Sequence, residues 1–232
     1  MTAYTSSLAS SLLSASSFSS SKLALSKCVT LLEATDPPRQ QQAAALLHEV
    51  SSRGVSGGGR GAFRLGIAGP PGAGKSTFIE ALGKHVLSAA AEAAAAAPEA
   101  SSGWLPERMA VLTIDPSSSF SGGSILGDKT RMPFLSLHPS AFVRPSPSRL
   151  SLGGLSAYTS DVVQLCTCAG FELVVVETVG LGQSEVEVDQ AVDMLLLLVP
   201  PAGGDELQGS KKGIVECADM MVVNKADGER GV

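Results

Sequence analysis

The sequence has little of three things that would narrow its class at once: long apolar runs, cysteine and excess positive charge. No apolar run approaches the roughly 20 residues that a membrane-spanning helix needs, and the longest candidate, Met194–Val199, has the length of a strand. Four cysteines in 232 residues are too few for a disulfide scaffold, which favours a reducing compartment. The net charge of −5 argues against a protein that mainly binds nucleic acid. We therefore expect neither a membrane nor a nucleic acid as partner.

The composition is that of a globular chain with one large domain. Hydrophobic residues make up 44% and charged residues 17%, and there are 25 glycines, which is unlike a disordered chain. Short, continuous apolar runs alternate with segments of helical periodicity, a pattern that predicts a mostly parallel sheet with helices on both faces. The expected strands cover residues 63–68, 109–114, 142–143, 173–176, 194–199 and 220–223.

The N-terminal quarter divides into a leader, a helical hairpin and a linker. Ten of the first 21 residues are serine and no acid precedes Glu33, so residues 1–21 are interpreted as either a disordered tail or a transit-like segment. Residues 22–55 carry apolar residues at helical spacing, broken by Asp36-Pro37-Pro38, which predicts a helical hairpin. Residues 56–61 form a glycine-rich linker to the main domain at 62–232.

A phosphate-binding loop follows the first predicted strand of that domain. The sequence GPPGAGKS at 69–76 fits G-x-x-x-x-G-K-[ST] between a strand and a helix, which is the context that the pattern requires. Glycines let backbone N–H groups approach phosphate oxygens, the lysine neutralises the β- and γ-phosphates, and the serine hydroxyl binds Mg²⁺. The predicted nucleotide-binding residues here are Gly69, Pro70, Pro71, Gly72, Ala73, Gly74, Lys75, Ser76 and Thr77.

A second motif indicates which base is bound. Asn224-Lys225-Ala226-Asp227 follows the last predicted strand, and N-K-x-D is typical of guanine recognition. The Asp227 carboxylate can accept hydrogen bonds from the ring N–H and exocyclic amine of guanine, whereas adenine offers neither donor there. Asn224, Lys225 and Asp227 are therefore predicted to bind the nucleotide, with GTP or GDP favoured over ATP.

Two strand ends are expected to supply carboxylates on the phosphate side. Asp115 closes the second strand, and Glu177 begins ETVG, with Gly180 three residues later. Many GTPases carry D-x-x-G at this point, and its glycine N–H senses the γ-phosphate. Mg²⁺ usually takes one or two carboxylates besides nucleotide oxygens and water. The alternative for Asp115 is a helix cap.

Six segments together resemble the MeaB/ArgK-type GTPases. They are GPPGAGKSTF at 69–78, DPSS at 115–118, GGSILGDKTRM at 122–132, RPSP at 144–147, ETVGLGQSE at 177–185 and PPAGGDELQG at 200–209. The resemblance runs from about Lys22 to Asp227, nearly the whole chain, and implies a P-loop NTPase fold.

The resemblance implies a GTP-hydrolysing chaperone of adenosylcobalamin-dependent methylmalonyl-CoA mutase that gates cofactor loading and protects the enzyme. Such proteins are typically homodimers, and mitochondrial in eukaryotes; a cytoplasmic location is the alternative here. By similarity, Ser76, Asp115, Asp128 and Glu177 would serve Mg²⁺, with Lys75, Asp115, Glu177 and Gly180 catalytic. Residues 205–212 would form a loop that responds to the mutase.

The sequence differs from the family pattern in two places, and two other functions are alternatives to this interpretation. The stretch 88–106 is longer and richer in alanine than usual, and the domain is expected to be truncated at its C-terminal end. An ATP-dependent small-molecule kinase and a nucleotide-dependent metallochaperone are the alternatives. The phosphate loop holds no evident arginine finger, which predicts slow intrinsic turnover. Cys166 and Cys168 lie two apart on a predicted helix, so they do not face one another and a metal pair is disfavoured.

Overall fold

The computed structural model describes residues 3–13, 18–54, 61–96, 105–115, 131–147, 154–178, 188–201 and 212–227. Its helices are α1 (Ala3–Leu13), α2 (Phe18–Leu32), α3 (Pro37–Gly54), α4 (Lys75–Ala96), α5 (Pro133–Leu137), α6 (Gly154–Cys168) and α7 (Lys212–Cys217). Its strands are β1 (Phe63–Ala68), β2 (Met109–Asp115), β3 (Ala141–Pro147), β4 (Leu173–Thr178), β5 (Met194–Val199) and β6 (Met220–Val223).

The six strands form one sheet in the order β3-β2-β4-β1-β5-β6. Every pairing between them is parallel, so the predicted α/β architecture with a parallel sheet is confirmed. From β1 the chain crosses to β2 and β3, returns to β4, and then passes to β5 on the other side of β1. The loop after β1 therefore emerges where the strand order reverses, which is where ligands bind in open α/β sheets.

Helices cover both faces of the sheet, as the continuous apolar strands predict. One core joins α1, α2, α3 and α6 to one face, with Leu25, Leu46 and Leu112 nearly or fully buried. The other core lies under α4 and α5, where Ile79 and Leu135 are fully buried. The inner strands thus lose solvent on both faces, whereas the edge strand β6 stays largely exposed. The hydrophobic effect holds the layers together.

The leader differs from its prediction. Residues 3–13 form α1, whose Leu8, Ala9 and Leu12 are buried against α2 and α3. Apolar residues at positions 8, 9 and 12 share one helix face, so this stretch buries a stripe despite its serine content. The prediction of a disordered tail is wrong for residues 3–13, and the hairpin is a three-helix unit. The transit-like interpretation stays a prediction.

The third strand is also longer than predicted. It covers Ala141–Pro147 instead of two residues and pairs only with β2, at the sheet edge. Proline cannot donate to a sheet ladder, and an edge strand tolerates it, so Pro145 and Pro147 concealed the strand in the sequence. The predicted linker at 56–61 lies outside the described residues except for Gly61, and none of the alanine-rich stretch beyond residue 96 is described before residue 105. No described helix is both long and apolar enough to span a bilayer.

Candidate nucleotide-binding site

The phosphate loop takes a backbone path that its glycines make possible. Gly69 has φ +151°, and a Cβ there would lie 2.2 Å from the Leu198 carbonyl oxygen on β5. Gly74 has φ +89°, and a Cβ there would lie 2.6 Å from the Asn224 Nδ2 atom. Both the conformation and the space exclude a side chain at these two positions. The loop is therefore pressed closely against β5 and the segment after β6.

The Lys75 ammonium group is held at the centre of the loop. The residue is 8% exposed, and its Nζ donates hydrogen bonds to the carbonyl oxygens of Gly69, at 2.8 Å, and Pro70, at 3.2 Å. These bonds hold a buried positive charge over the concave side of the loop, where the charge attracts phosphate oxygens. The position is the one that the sequence predicted.

Ser76 and Glu177, both predicted to serve a metal ion, lie side by side. The Ser76 hydroxyl donates to Glu177 Oε1 at 2.8 Å, and Glu177 is 8% exposed. Parallel pairing explains the contact, because Glu177 at the end of β4 stands in register with Ile67 of β1, just before the loop. The two oxygen ligands are of the kind that Mg²⁺ prefers.

The other predicted metal and catalytic residues are only partly described. Asp115 ends β2 at the same edge of the sheet, one position beyond Ile114, which pairs with Thr178. Its side chain, and all of Asp128 and Gly180, lie outside the described residues. Within the described ranges, no group of three or more His, Cys, Asp or Glu residues is arranged to hold a metal ion.

The Asn224–Asp227 segment is fastened to the phosphate loop. Asn224 Nδ2 donates to the Ala73 carbonyl oxygen at 2.7 Å, and Lys225 Nζ donates to the Gly72 carbonyl oxygen at 2.7 Å. Lys225 also takes φ +61°, a conformation that is uncommon for a residue with a side chain. Asn224 and Lys225 therefore join two loops, whereas the Asp227 side chain is exposed.

Two open cavities lie next to one another along this line. One, of about 650 Å³, is lined by loop residues together with Thr113, Glu177 and Thr178; the other, of about 510 Å³, is lined by residues from Val223 to Asp227. Gly74, Thr77 and Lys225 line both. We call these two adjoining cavities the groove; its lining residues extend from the phosphate loop to Asp227.

Two residues that lie in predicted motifs but were given no role of their own also line the groove. Arg131 contributes to the larger cavity, and its place in the GDKTRM segment beside Asp128 was the available signal. Thr178 is fully buried, and its hydroxyl has no hydrogen-bond partner in the structure as described. Both extend the predicted site on the side away from the base.

The cysteine pair does not behave as a metal site. Burial raises the pKa of Cys166 and, less strongly, that of Cys168. A raised pKa keeps a thiol protonated, whereas a metal ligand must be a thiolate. This agrees with the sequence interpretation that the two cysteines are packing residues.

Comparison with known proteins identifies relatives over most of the chain. A probable GTPase of Mycobacterium tuberculosis is 47% identical over 208 residues, which is 90% of this chain and 56% of the relative. The mouse protein named methylmalonic aciduria type A homolog, mitochondrial, is 44% identical over 210 residues, 88% of this chain and 47% of that protein. GTPase ArgK of Escherichia coli is 42% identical over 205 residues, which is 88% of this chain and 56% of the ArgK chain. The chain thus spans about half the length of these curated relatives.

A solved structure and a family model agree with these relatives. The crystal structure of an LAO/AO transport system kinase superposes with a TM-score of 0.63 and 30% identity, covering 99% of this chain and 59% of the other. The model of the methylmalonyl Co-A mutase-associated GTPase MeaB matches residues 25–232. The groove, the parallel sheet and this match lead to one conclusion: the chain belongs to the MeaB family of P-loop GTPases.

Proposed function

We propose that the chain binds and hydrolyses GTP with Mg²⁺, and that its nucleotide state gates adenosylcobalamin loading and protection of methylmalonyl-CoA mutase. The observation that carries the proposal is the pair of adjoining cavities, one at the phosphate loop and one at Asp227, which share Gly74, Thr77 and Lys225. The phosphate loop alone would accept the phosphates of ATP or GTP, whereas a carboxylate at the far end matches the donors of guanine. The family match supports the mutase as the partner.

Base selection would depend on Asp227. In an Asp227→Asn variant the amide NH₂ group can donate to the 2-oxo group of xanthine, which replaces the 2-amino group of guanine. We expect this variant to lose affinity for GTP and gain affinity for xanthosine triphosphate, as measured by competition against a fluorescent nucleotide. Glu216→Gln, at an exposed carboxylate on α7, is the matched control and should leave both affinities unchanged.

Ser76 and Glu177 would hold Mg²⁺, with Asp115 and Asp128 as the other proposed ligands. The hydroxyl–carboxylate contact at 2.8 Å offers oxygen donors only, which fits this ion. When bound, Mg²⁺ would neutralise phosphate charge and so ease departure of the β-phosphate oxygen.

The residues of the chain would act mainly by positioning and charge. Lys75 and the loop N–H groups would bind the β- and γ-phosphate oxygens, and the Gly180 N–H would contact the γ-phosphate. A water molecule held near Asp115 or Glu177 attacks the γ-phosphorus; its P–O bond forms as the bond to the β–γ bridging oxygen breaks, giving GDP and phosphate.

Phosphate release tests the activity and the partner together. The chain with GTP and Mg²⁺ should release phosphate slowly, and purified methylmalonyl-CoA mutase should accelerate the release. If no mutase changes the rate of hydrolysis, the proposed partner is wrong, but the proposed GTPase activity still stands. A pull-down of the mutase with GDP compared with a non-hydrolysable GTP analogue should show that one nucleotide state is preferred.

An ATP-dependent small-molecule kinase remains the second candidate, because the superposed solved structure is described as a kinase. Asp227 opposes it, since adenine lacks both donors that the carboxylate needs. Competition at equal concentration separates the two: ATP that displaces labelled GTP would favour the kinase.

Two finer proposals rest on the family relation. A mitochondrial location is supported by the acid-free first 32 residues and by the printed name of the mouse relative. A fluorescent fusion of the full chain should colocalise with mitochondria, and a diffuse cytoplasmic signal would contradict this. The second proposal is that the full-length form is a homodimer. Sedimentation velocity measures its mass in solution, and a monomer would contradict this proposal.

A further inference from the structure

Arg131 stands apart from the other cations of the groove. Lys75 Nζ is bonded to the Gly69 and Pro70 carbonyl oxygens, and Lys225 Nζ is bonded to the Gly72 carbonyl oxygen. Arg131 also lines the phosphate cavity but has neither a hydrogen bond nor an ion pair in the part of the chain that the structure describes. Its side chain is exposed, so its guanidinium is available to a ligand.

The backbone under Arg131 is fixed, although the side chain is free. The next residue, Met132, is fully buried in the core beneath α4, and its carbonyl oxygen accepts the Ser136 N–H at 2.9 Å. The Glu80 carboxylate of α4 accepts the N–H groups of Phe134, at 2.6 Å, and Leu135, at 3.2 Å. Because Glu80 lies on the helix that begins with Lys75, α4 positions both the loop lysine and Arg131.

We propose that Arg131 is a catalytic arginine supplied by the chain itself, which binds the γ-phosphate and stabilises the charge that develops during hydrolysis. The inference rests on the proposed GTPase function and adds a residue that the motif reasoning did not find in the loop. A guanidinium is always charged and offers planar pairs of N–H donors that match phosphate oxygens. Arg131 lines the same cavity as Ser76 and Glu177, whereas Asp227 lines the other cavity.

The test compares Arg131→Ala and Arg131→Lys with Arg39→Ala in the full chain. Arg39 is an exposed residue of α3, paired only with Asp36, and its replacement should change nothing. Single-turnover GTP hydrolysis by Arg131→Ala should fall on the order of 10²-fold, the usual cost of losing one donor to a transition-state oxyanion. Arg131→Lys should fall less, because it keeps the charge without the planar fork.

Nucleotide affinity provides the second readout. Binding of GDP should stay within about threefold of the unsubstituted chain, which also shows that each variant is folded. Binding of GDP with aluminium fluoride, a mimic of the transferring phosphoryl group, should be lost in Arg131→Ala alone.

The possible results distinguish failure of the proposed GTPase function from failure of the proposed role of Arg131. If the unsubstituted chain binds no guanine nucleotide, the proposed function fails and this inference fails with it. If the unsubstituted chain hydrolyses GTP and Arg131→Ala matches it in rate and in aluminium fluoride binding, only this inference is overturned. Equal weakening of GDP and GTP binding would also overturn it, since Arg131 would then act as a general anchor.

Discussion

Asn224 shows how a single side chain can hold two segments of a candidate site together. Its amide donates to the Ala73 carbonyl oxygen at 2.7 Å and occupies the space that a Cβ on Gly74 would need. This hydrogen bond, together with the one from Lys225 to the Gly72 carbonyl oxygen and the absence of a Cβ at Gly74, sets the spacing between the 224–227 segment and the phosphate loop.

Alanine at Gly74 tests this fit. Gly74→Ala should abolish tight nucleotide binding, because the new Cβ would be both strained at φ +89° and pressed to 2.6 Å from Asn224 Nδ2. Gly72→Ala is the matched comparison. Gly72 also has a positive φ, +81°, but nothing lies within 4 Å of the Cβ that alanine would add there. Calorimetric titration with GDP should show a much larger loss for Gly74→Ala; equal losses would mean that strain alone matters.

At the scale of elements, α4 links the phosphate loop to α5. Met132 is the N-cap residue of α5, but its side chain makes no capping hydrogen bond. The first turn of α5 contains a proline. The Glu80 carboxylate, on a different helix, therefore satisfies two N–H groups that the short helix leaves open.

Glu80→Ala should lower the free energy of unfolding by about 1–2 kcal/mol, in line with the loss of a helix cap whose donors become unsatisfied. Glu92→Ala, at an exposed position on the same helix, should change it by less than about 0.5 kcal/mol. Urea denaturation followed by circular dichroism measures both. If the two variants are equally stable, Glu80 does not hold α5.

An ion pair joins the N-terminal ends of β1 and β5, where Asp193 directly precedes β5. Asp193 accepts the Arg64 backbone N–H at 2.8 Å and the Arg64 Nε–H at 3.0 Å, and also pairs with its terminal nitrogen. The hydrogen bonds from Arg64 hold the pKa of Asp193 below its ordinary value of 3.8. The pair is partly exposed, so its contribution to stability is small.

This pKa sets a pH dependence. A carboxyl whose folded pKa is depressed stabilises the fold above its unfolded pKa and loses that effect as pH falls through the folded value. Asp193→Asn should therefore be slightly less stable than the unsubstituted chain at pH 7, and the gap in melting temperature should narrow below about pH 4. A gap that is constant from pH 7 to pH 3 would contradict the assignment.

At the scale of the molecule, the N-terminal helices share one core with the sheet. Phe18 of α2 packs edge-on against Phe171 with ring centroids 5.1 Å apart. The Arg144 side chain of β3 pairs at 2.7 Å with Glu33, the residue that follows α2. Tyr158 of α6 donates to the same Glu33 carboxylate at 3.2 Å. The helices are thus fastened to the sheet by apolar and polar contacts together.

Unfolding should accordingly be a single transition. Leu25→Ala, at a fully buried position of α2, should cost about 2–5 kcal/mol, whereas Leu23→Ala, at a position that is 60% exposed, should cost less than about 0.5 kcal/mol. Denaturation curves from far-ultraviolet circular dichroism and from tyrosine fluorescence should coincide for both. Two separated transitions in Leu25→Ala would show that the helices fold independently of the sheet.

Sequence reasoning reached different parts of this molecule for physical reasons. The strands were predictable because burial on both faces leaves a continuous apolar run, and the phosphate loop because its backbone path needs glycine at set places. The helix at 3–13 was missed because serine-rich composition masked the spacing of Leu8 and Leu12. Arg131 and the loop-joining part played by Asn224 depend on how distant segments meet, which local pattern does not record.

Calorimetric titration of the folded chain with GDP, GTP and ATP in the presence of Mg²⁺ tests the central claim most directly. The groove from the phosphate loop to Asp227 predicts saturable binding of both guanine nucleotides, with ATP bound far more weakly or not at all. Absence of heat with guanine nucleotides from a sample whose circular dichroism shows the native fold, or equal affinity for ATP, would contradict the account.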